Sequence, residues 1–448
     1  MNGPLIITSK TGPLSRRDFM MAVSAATAAV ATGCATNPVT GENQLMLIDK
    51  NDEIELDKNN SPHQISADYG ASTDPLLGEY VSHVGKRMSS LSHRPDMPYT
   101  YRVVDATYVN AYAFPAGTIA ATRGIMLTLD NEASLAALMG HEIGHVNARH
   151  TAARMSSAML TQIAVAGLVV VAASQDKAAG ALAAGLGMLG AGALLAKYSR
   201  DDERQADALG LEYMTKAGYN PQGMVDLMDV LRKMGKEKPG ALDMMFSSHP
   251  MSDERYATAK EKLAGQYARM EGFNTGRERH MDSTSKLRKI RPAIEAMQQG
   301  EEAMMKQQYR GAEERFASAL KTAPNDYAGL LMMAKCQLAM KNPAAAQQYA
   351  DRARQVKPSE PQSNNVMGVA KLMRKDFSGA HSYFSQYERM LPGNPNTLFL
   401  KGVAAEGMGD TASAAEDFSR YVQVDDSSEQ GRYAIKRLMD WGYIKRGN

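Results

Sequence analysis

Only two cysteines, Cys34 and Cys336, occur in 448 residues, which excludes a disulfide framework and leaves stability to core packing. An excess of charge of one sign is missing too: 51 basic residues against 49 acidic give a net +2, no electrostatic footprint for nucleic acid. Aromatics are few, with one Trp and nine Phe, while 31 Met supply pliable apolar filler or gripping surface. Residues 20–32 are Ala-rich and only mildly apolar, too weak for a stable membrane span. At 44% hydrophobic residues the chain still buries more than one core, so two domains are expected.

Against that background, residues 141–150 read HEIGHVNARH. His141 and His145 are spaced i and i+4, so a helix places both imidazoles on one face. Two such ligands fill two corners of a tetrahedral zinc site, and Glu142 leans over the open corner where water sits. Residues 131–139, NEASLAALM, give an acidic first turn and then an apolar stripe, which predicts that helix. Gly140 and Gly144 leave room for another backbone or a substrate.

A third ligand must come from elsewhere. RDDERQADALG at 200–210 predicts a second helix on which Glu203 and Asp207 again stand four apart. One carboxylate would bind metal while the other accepts a hydrogen bond from a ligating imidazole; the plain alternative is an acidic, solvated helix start. Upstream, NAYAFPAGTIAATRG from Asn110 predicts a strand ending near the active helix. Its exposed edge, Asn110, Ala111, Tyr112 and Ala113, is the candidate surface for holding an extended peptide by main-chain hydrogen bonds.

Taken together, HExxH with Arg149 and His150, ERQAD at 203–207, SSHP at 247–250 and NAYAFPAG at 110–117 resemble the HtpX and CAAX-prenyl-protease superfamily of zinc metallopeptidases. Within it the chain is most similar to the periplasmic, tetratricopeptide-bearing, BepA-like branch, and CATNPVTGENQLMLI from Cys34 resembles the mature start of its lipoproteins. The resemblance implies one Zn2+ per chain with His141, His145 and Glu203 as ligands, Glu142 as catalytic base and Asp207 supporting a ligand. Ala116, where relatives often carry a second Gly, departs from the pattern at the strand entry.

His249 precedes Pro250, which favours an extended loop conformation. If it faces the cleft, it either steadies the transition-state oxyanion or takes the fourth coordination position in a latched state. His63, His83, His93, His280 and His381 stand in no ligand spacing.

Ser15-Arg16-Arg17-Asp18-Phe19 before the weakly apolar run has the arrangement of a twin-arginine export signal, and Ala31-Thr32-Gly33-Cys34 resembles a lipobox. The expected location is the periplasm, with Cys34 as a lipid anchor in the outer membrane; inner-membrane association is the alternative. Residues 157–174 and 178–196 are uncharged runs around Gln175-Asp176-Lys177 and predict a helical hairpin. Its Ala and Gly content favours packing on the protease or touching the membrane surface over a transmembrane pair.

The last third carries a 34-residue period. Gly300, Ala334, Gly368 and Gly402 recur in step, as do Ala312, Ala346, Ala380 and Ala414, then Phe316, Ala350, Phe384 and Phe418. Pro324, Pro358 and Pro392 close three units and Asp426 the fourth. Four tetratricopeptide repeats with a capping helix at 428–440 present a concave groove for a peptide or partner protein.

The expected fold is therefore mainly α: a zincin-like domain of helices and a small β-sheet, then an all-α solenoid. Boundaries are expected at 1–33 for the signal, 34–60 for an N-terminal linker, 61–265 for the peptidase, 266–290 for a linker and 291–448 for the repeats. The expected function is a zinc endopeptidase for quality control or assembly of outer-membrane proteins, with protein substrates and an envelope partner such as the β-barrel assembly machinery in the groove. The other class is a chaperone or scaffold whose zinc is structural or latched. Glu142 separates them, because a closed structural site needs no base.

Overall fold

The computed structural model describes residues 34–167, 197–237, 242–270 and 272–444. They fall in two compact units, one within Gly12–Lys289 and the other over Ile290–Asn448. The signal at 1–33 and most of the apolar hairpin lie outside the described residues. Among the described residues no helix is long and apolar enough to cross a membrane.

The first unit opens with a short antiparallel pair, β1 (Cys34–Thr36) and β2 (Asn43–Leu45). Helix α1 (Lys50–Ala67) follows, started by Asp49, which forms a capping box with Asp52. The expected linker at 34–60 is thus a structural part of the peptidase unit. Glu53 is wholly buried and bridges Arg94 at 2.5 Å and Arg149 at 3.1 Å. Arg149 also donates to the Ile48 carbonyl, and the Leu47 N–H to Ser156 Oγ. Arg149 is a buried tie in a left-handed turn, φ 58°.

After α2 (Pro75–Ser89) comes a three-stranded sheet of order β3 (Thr100–Val104), β5 (Thr118–Thr122), β4 (Ala111–Ala113). β3 runs parallel to β5 and β4 antiparallel to it. The single strand expected from Asn110 onward is instead a hairpin, turned at Phe114–Gly117, with Gly117 at φ 100° and its N–H donating to the Phe114 carbonyl. Asp57 from α1 pins the turn by accepting from the N–H groups of Ala116 and Thr118, both at 3.0 Å.

The helical layer is α3 (Arg123–Thr128), α4 (Glu132–Asn147), α5 (His150–Gly167), α6 (Arg200–Lys216), α7 (Gln222–Glu237), α8 (Asp243–Ser248) and α9 (Asp253–Ala264). α4 is buried along its whole length, so it forms the centre of the unit. The expected linker at 266–290 also folds onto this unit through α10 (Arg277–Ser283) and α11 (Ser285–Lys289). The Thr275 carbonyl accepts the Ala133 N–H at the start of α4, and Arg279 pairs with Glu132 at 2.8 Å. His280, buried completely, contacts Tyr80 Oη at 3.0 Å and the Leu129 carbonyl at 3.1 Å.

The second unit is four helix pairs and a cap: α12 (Arg291–Met305) with α13 (Tyr309–Thr322), α14 (Tyr327–Ala339) with α15 (Pro343–Val356), α16 (Gln362–Met373) with α17 (Phe377–Met390), α18 (Pro395–Gly407) with α19 (Thr411–Val422), then α20 (Glu429–Asp440). A Cβ added at Gly300, Gly368 or Gly402 would meet the ring of Phe316, Phe384 or Phe418 at 2.3–2.6 Å. The small residues at this step of the period therefore receive the Phe of their own pair. In the second pair both positions are Ala, and Ala334 and Ala350 are fully buried.

Candidate metal centre

Helix α4 begins at Asn131, whose side chain accepts the Ser134 N–H, and it carries His141, Glu142 and His145 into the interior. Helix α6 begins at Ser199, capped reciprocally by Asp202, which starts the helix one turn before Glu203. The two helices cross with backbones almost touching. A Cβ on Gly140 would lie 2.9 Å from the Gly210 oxygen, and one on Gly144 2.8 Å from the Ala206 oxygen. This contact brings Glu203 level with both histidines.

His249 arrives from the end of α8, as its C-terminal cap with φ −119° and ψ 84°, which matches its place before Pro250. His141, His145, Glu203 and His249 each offer one donor atom, all within 4.8 Å of one another and all buried. Four donors about 2.0–2.1 Å from one ion in a tetrahedron lie roughly 3.3 Å apart. The separations here are 3.1 Å between the Nε2 atoms of His141 and His145, 3.3 Å from His141 Nε2 to His249 Nδ1, 3.3 Å from His145 Nε2 to Glu203 Oε1, and 3.0 Å from His249 Nδ1 to Glu203 Oε1. The donor set fits a metal ion.

The outer nitrogens are held as well. His141 Nδ1 meets Asp207 Oδ1 at 2.9 Å, which keeps a proton on Nδ1 and turns the Nε2 lone pair towards the cluster. His145 Nδ1 meets His150 Nδ1 at 2.8 Å, and His150 Nε2 reaches Gln205 Oε1 at 2.9 Å. At 3.1 Å the two Nε2 atoms of His141 and His145 either share a proton or serve one ion as common ligands. Glu142 is buried, and neither of its carboxylate oxygens has a hydrogen-bond partner among the described residues; His249 Nε2 is 3.8 Å from Oε1. An orphaned carboxylate beside a donor cluster is what a base awaiting water requires.

Burial sets the protonation. It pushes the Glu142 carboxyl up, partly countered by His249 and His141, and drives the His145 imidazole well down. For His141 burial acts downward, yet Glu203 and Asp207 hold its pKa above the ordinary value. Burial likewise opposes ionisation of Asp207, but Arg255 prevails and keeps the carboxyl low. Arg255 donates to Asp207 from Nε at 2.6 Å and Nη2 at 2.7 Å, and its Nη1 lies 2.6 Å from Glu203 Oε2. Sequence reading missed this residue, although it stands in the first turn of the helix that follows SSHP.

Asn110 lies just before the edge strand β4 and is held at Thr122, whose N–H donates to the Asn110 carbonyl at 3.0 Å. That pair and Phe114 with Thr118 are hydrogen-bonded, so the alternation turns the main-chain groups of Ala111 and Ala113 away from β5; yet residues 110–113 are all buried, and the edge is not the exposed one that the sequence predicts. Tyr112 instead sends its hydroxyl to Asp68 at 2.6 Å, within the core. Cys34 lies in β1, opposite Leu45.

Two histidines and a glutamate on crossed helices, with an orphaned carboxylate between them and a small sheet alongside, are the make-up of a metallopeptidase domain. The chain belongs to peptidase family M48, whose profile matches residues 75–263, and a tetratricopeptide repeat profile matches residues 303–368. Metalloprotease LoiP of Escherichia coli (strain K12) is 30% identical over 200 residues, covering 44% of this chain and 76% of LoiP. The β-barrel assembly-enhancing protease of the same strain is 28% identical over 193 residues, covering 42% of this chain but only 39% of that protein. Among solved structures, a thermophilic TPR protein of Thermus thermophilus aligns with a TM-score of 0.31 and 17% identity, over 34% of this chain and 84% of that one. Membership in the family implies a metal, and the donor cluster accommodates one.

Proposed function

We propose that this chain is a zinc-dependent endopeptidase of the bacterial cell envelope. The observation that carries the reading is the juxtaposition of the four-donor cluster with the unpartnered, buried Glu142. His141, His145 and Glu203 hold the metal, and Asp207, His150 and Arg255 fix the outer sides of those ligands. Zinc there supplies Lewis acidity that activates water and polarises a peptide carbonyl. Glu142 takes the proton of the attacking water and delivers it to the leaving amine, and its raised pKa suits both halves of that task. β4 lays an extended substrate alongside by pairing with Ala111 and Ala113, while Asn110 and Tyr112 anchor the strand.

His249 takes the fourth donor position in a resting state, as its Nδ1 distances to His141 and Glu203 favour, and leaves when substrate binds. The repeats recruit substrate or a partner, and the name of the assembly-enhancing relative makes the outer-membrane β-barrel assembly machinery the first partner to try. The twin-arginine pattern at residues 15–19 and the small residues before Cys34 support a periplasmic location with a lipid anchor in the outer membrane. Glu142→Gln keeps the volume and removes the base. It is expected to retain one zinc per chain and the wild-type melting temperature while cleavage of an unfolded protein falls by roughly 10²–10⁴-fold. A variant that cleaves at the wild-type rate sinks the mechanism.

A further inference from the structure

We infer that Tyr198 is a positioning residue for the metal centre: its ring sets the plane of the His145 imidazole, and its backbone ties that ligand to the loop carrying His249. Tyr198 lies in an irregular segment just before α6 and is buried. Its ring stacks on His145 with centroids 3.8 Å apart and planes 20° from parallel. The Arg154 guanidinium also lies over the Tyr198 ring, 4.8 Å from the centroid, and adds a cation contact to the stack. The hydroxyl meets Thr151 Oγ1 at 2.9 Å, and the N–H donates to the Ser248 carbonyl at 3.0 Å, one residue before His249.

The stack has a specific task. His145 is held at Nδ1 by His150 and at Nε2 by the donor cluster, and these two contacts define a line through the ring. The ring turns instead about its Cβ–Cγ bond, which lies off that line. Such a turn carries Nε2 out of line with the donor cluster, and the flat aromatic face packed on the imidazole opposes it. An aliphatic side chain fills the space without presenting a plane. The bond to Ser248 adds a second effect, since any shift of the Tyr198 backbone moves the chain that delivers His249.

The inference rests on reading His145 as a metal ligand, and one experiment tells the two apart. Zinc affinity of the full chain is measured by chelator competition for wild type, Tyr198→Phe and Tyr198→Leu, with the melting temperature of each metal-free protein followed in parallel. Tyr198→Phe keeps the stack and is expected within about twofold of wild type, whereas Tyr198→Leu is expected to bind roughly 10–100-fold more weakly at a similar melting temperature. Equal affinity for Leu and wild type overturns the proposal. So does equal loss for Phe and Leu, which assigns the effect to the hydroxyl and Thr151. If Tyr198→Leu does not fold, Arg154→Met, which removes the cation and leaves the ring, is expected to weaken zinc a few-fold; no change there overturns the proposal. A wild-type chain that binds no zinc fails the site reading itself.

Discussion

Small residues do opposite work in the two units. In the peptidase unit Gly140, Gly144 and Gly210 let two helix backbones touch, and that contact sets the distance between donor residues that lie far apart in the chain. In the repeat unit Gly300, Gly368 and Gly402 receive an aromatic ring from the next helix, and the contact concerns only its own pair. A fault in the first is passed to every donor atom, whereas a fault in the second stays within one repeat. The second pair, with Ala334 and Ala350 both buried, shows that the repeat contact can be rewritten as long as both sides change together.

The comparison can be broken first at Arg255, which serves two buried carboxylates in the peptidase unit. Arg255→Met takes the guanidinium from Glu203 and Asp207 and leaves them only histidine partners, and chemical denaturation of the metal-free chain should show the first unit losing about 3–5 kcal/mol with the repeats untouched. Gly144→Val comes next. Its Cβ meets the Ala206 oxygen at 2.8 Å, so the ligand helices must part, with an expected loss of about 3 kcal/mol and no measurable zinc binding by metal analysis. Wild-type zinc content in that variant would falsify the view that the crossing sets the site.

Acid sharpens the contrast, because among the described residues the buried histidines all belong to the peptidase unit. Burial lowers the His280 pKa from 6.5 to about 4, so between those values the unfolded chain binds the proton and the folded one does not. The stability this neutral histidine contributes is complete above about pH 6.5 and is lost as pH falls towards 4. Relative to His280→Gln, the wild type should weaken by about 3 kcal/mol across that window in a denaturation series. The smallest effects belong to the repeats. Gly368→Ala crowds Phe384 and should cost about 1–3 kcal/mol, while Ala334→Gly, with no ring to seat, should cost only the ~1 kcal/mol of a helical glycine. Calorimetry that found the two equal would remove the idea of paired positions.

How much of this was legible in the sequence follows from where each contact lies. HEIGHVNARH, ERQAD and the 34-residue period could be read because helical spacing and repetition are local properties. Arg255 could not, because nothing in its own segment shows that Glu203 and Asp207 end up beside it. The same holds for Glu53 and Asp57, which fall in the expected linker at 34–60 and turn out to be buried ties to Arg94, Arg149 and the turn at Ala116. The hairpin at 110–122 was within reach: Pro115 and Gly117 mark a turn, but the alternation of the flanking residues outweighed them.

One consequence concerns where the peptidase can be cut out. The family match ends at residue 263, yet the N-terminus of the catalytic helix is finished by later chain, through the Thr275 carbonyl, Gly276 against Glu132, Arg279 and His280. A fragment ending near 265 would leave the Ala133 N–H, the Glu132 carboxylate and the Leu129 carbonyl exposed to water at the head of that helix. A fragment that keeps the head of that helix intact therefore has to run to the end of the first unit at Lys289, where Arg288 also donates to the Leu129 carbonyl, and a nick in 272–284 is expected to disturb the helix that carries HExxH.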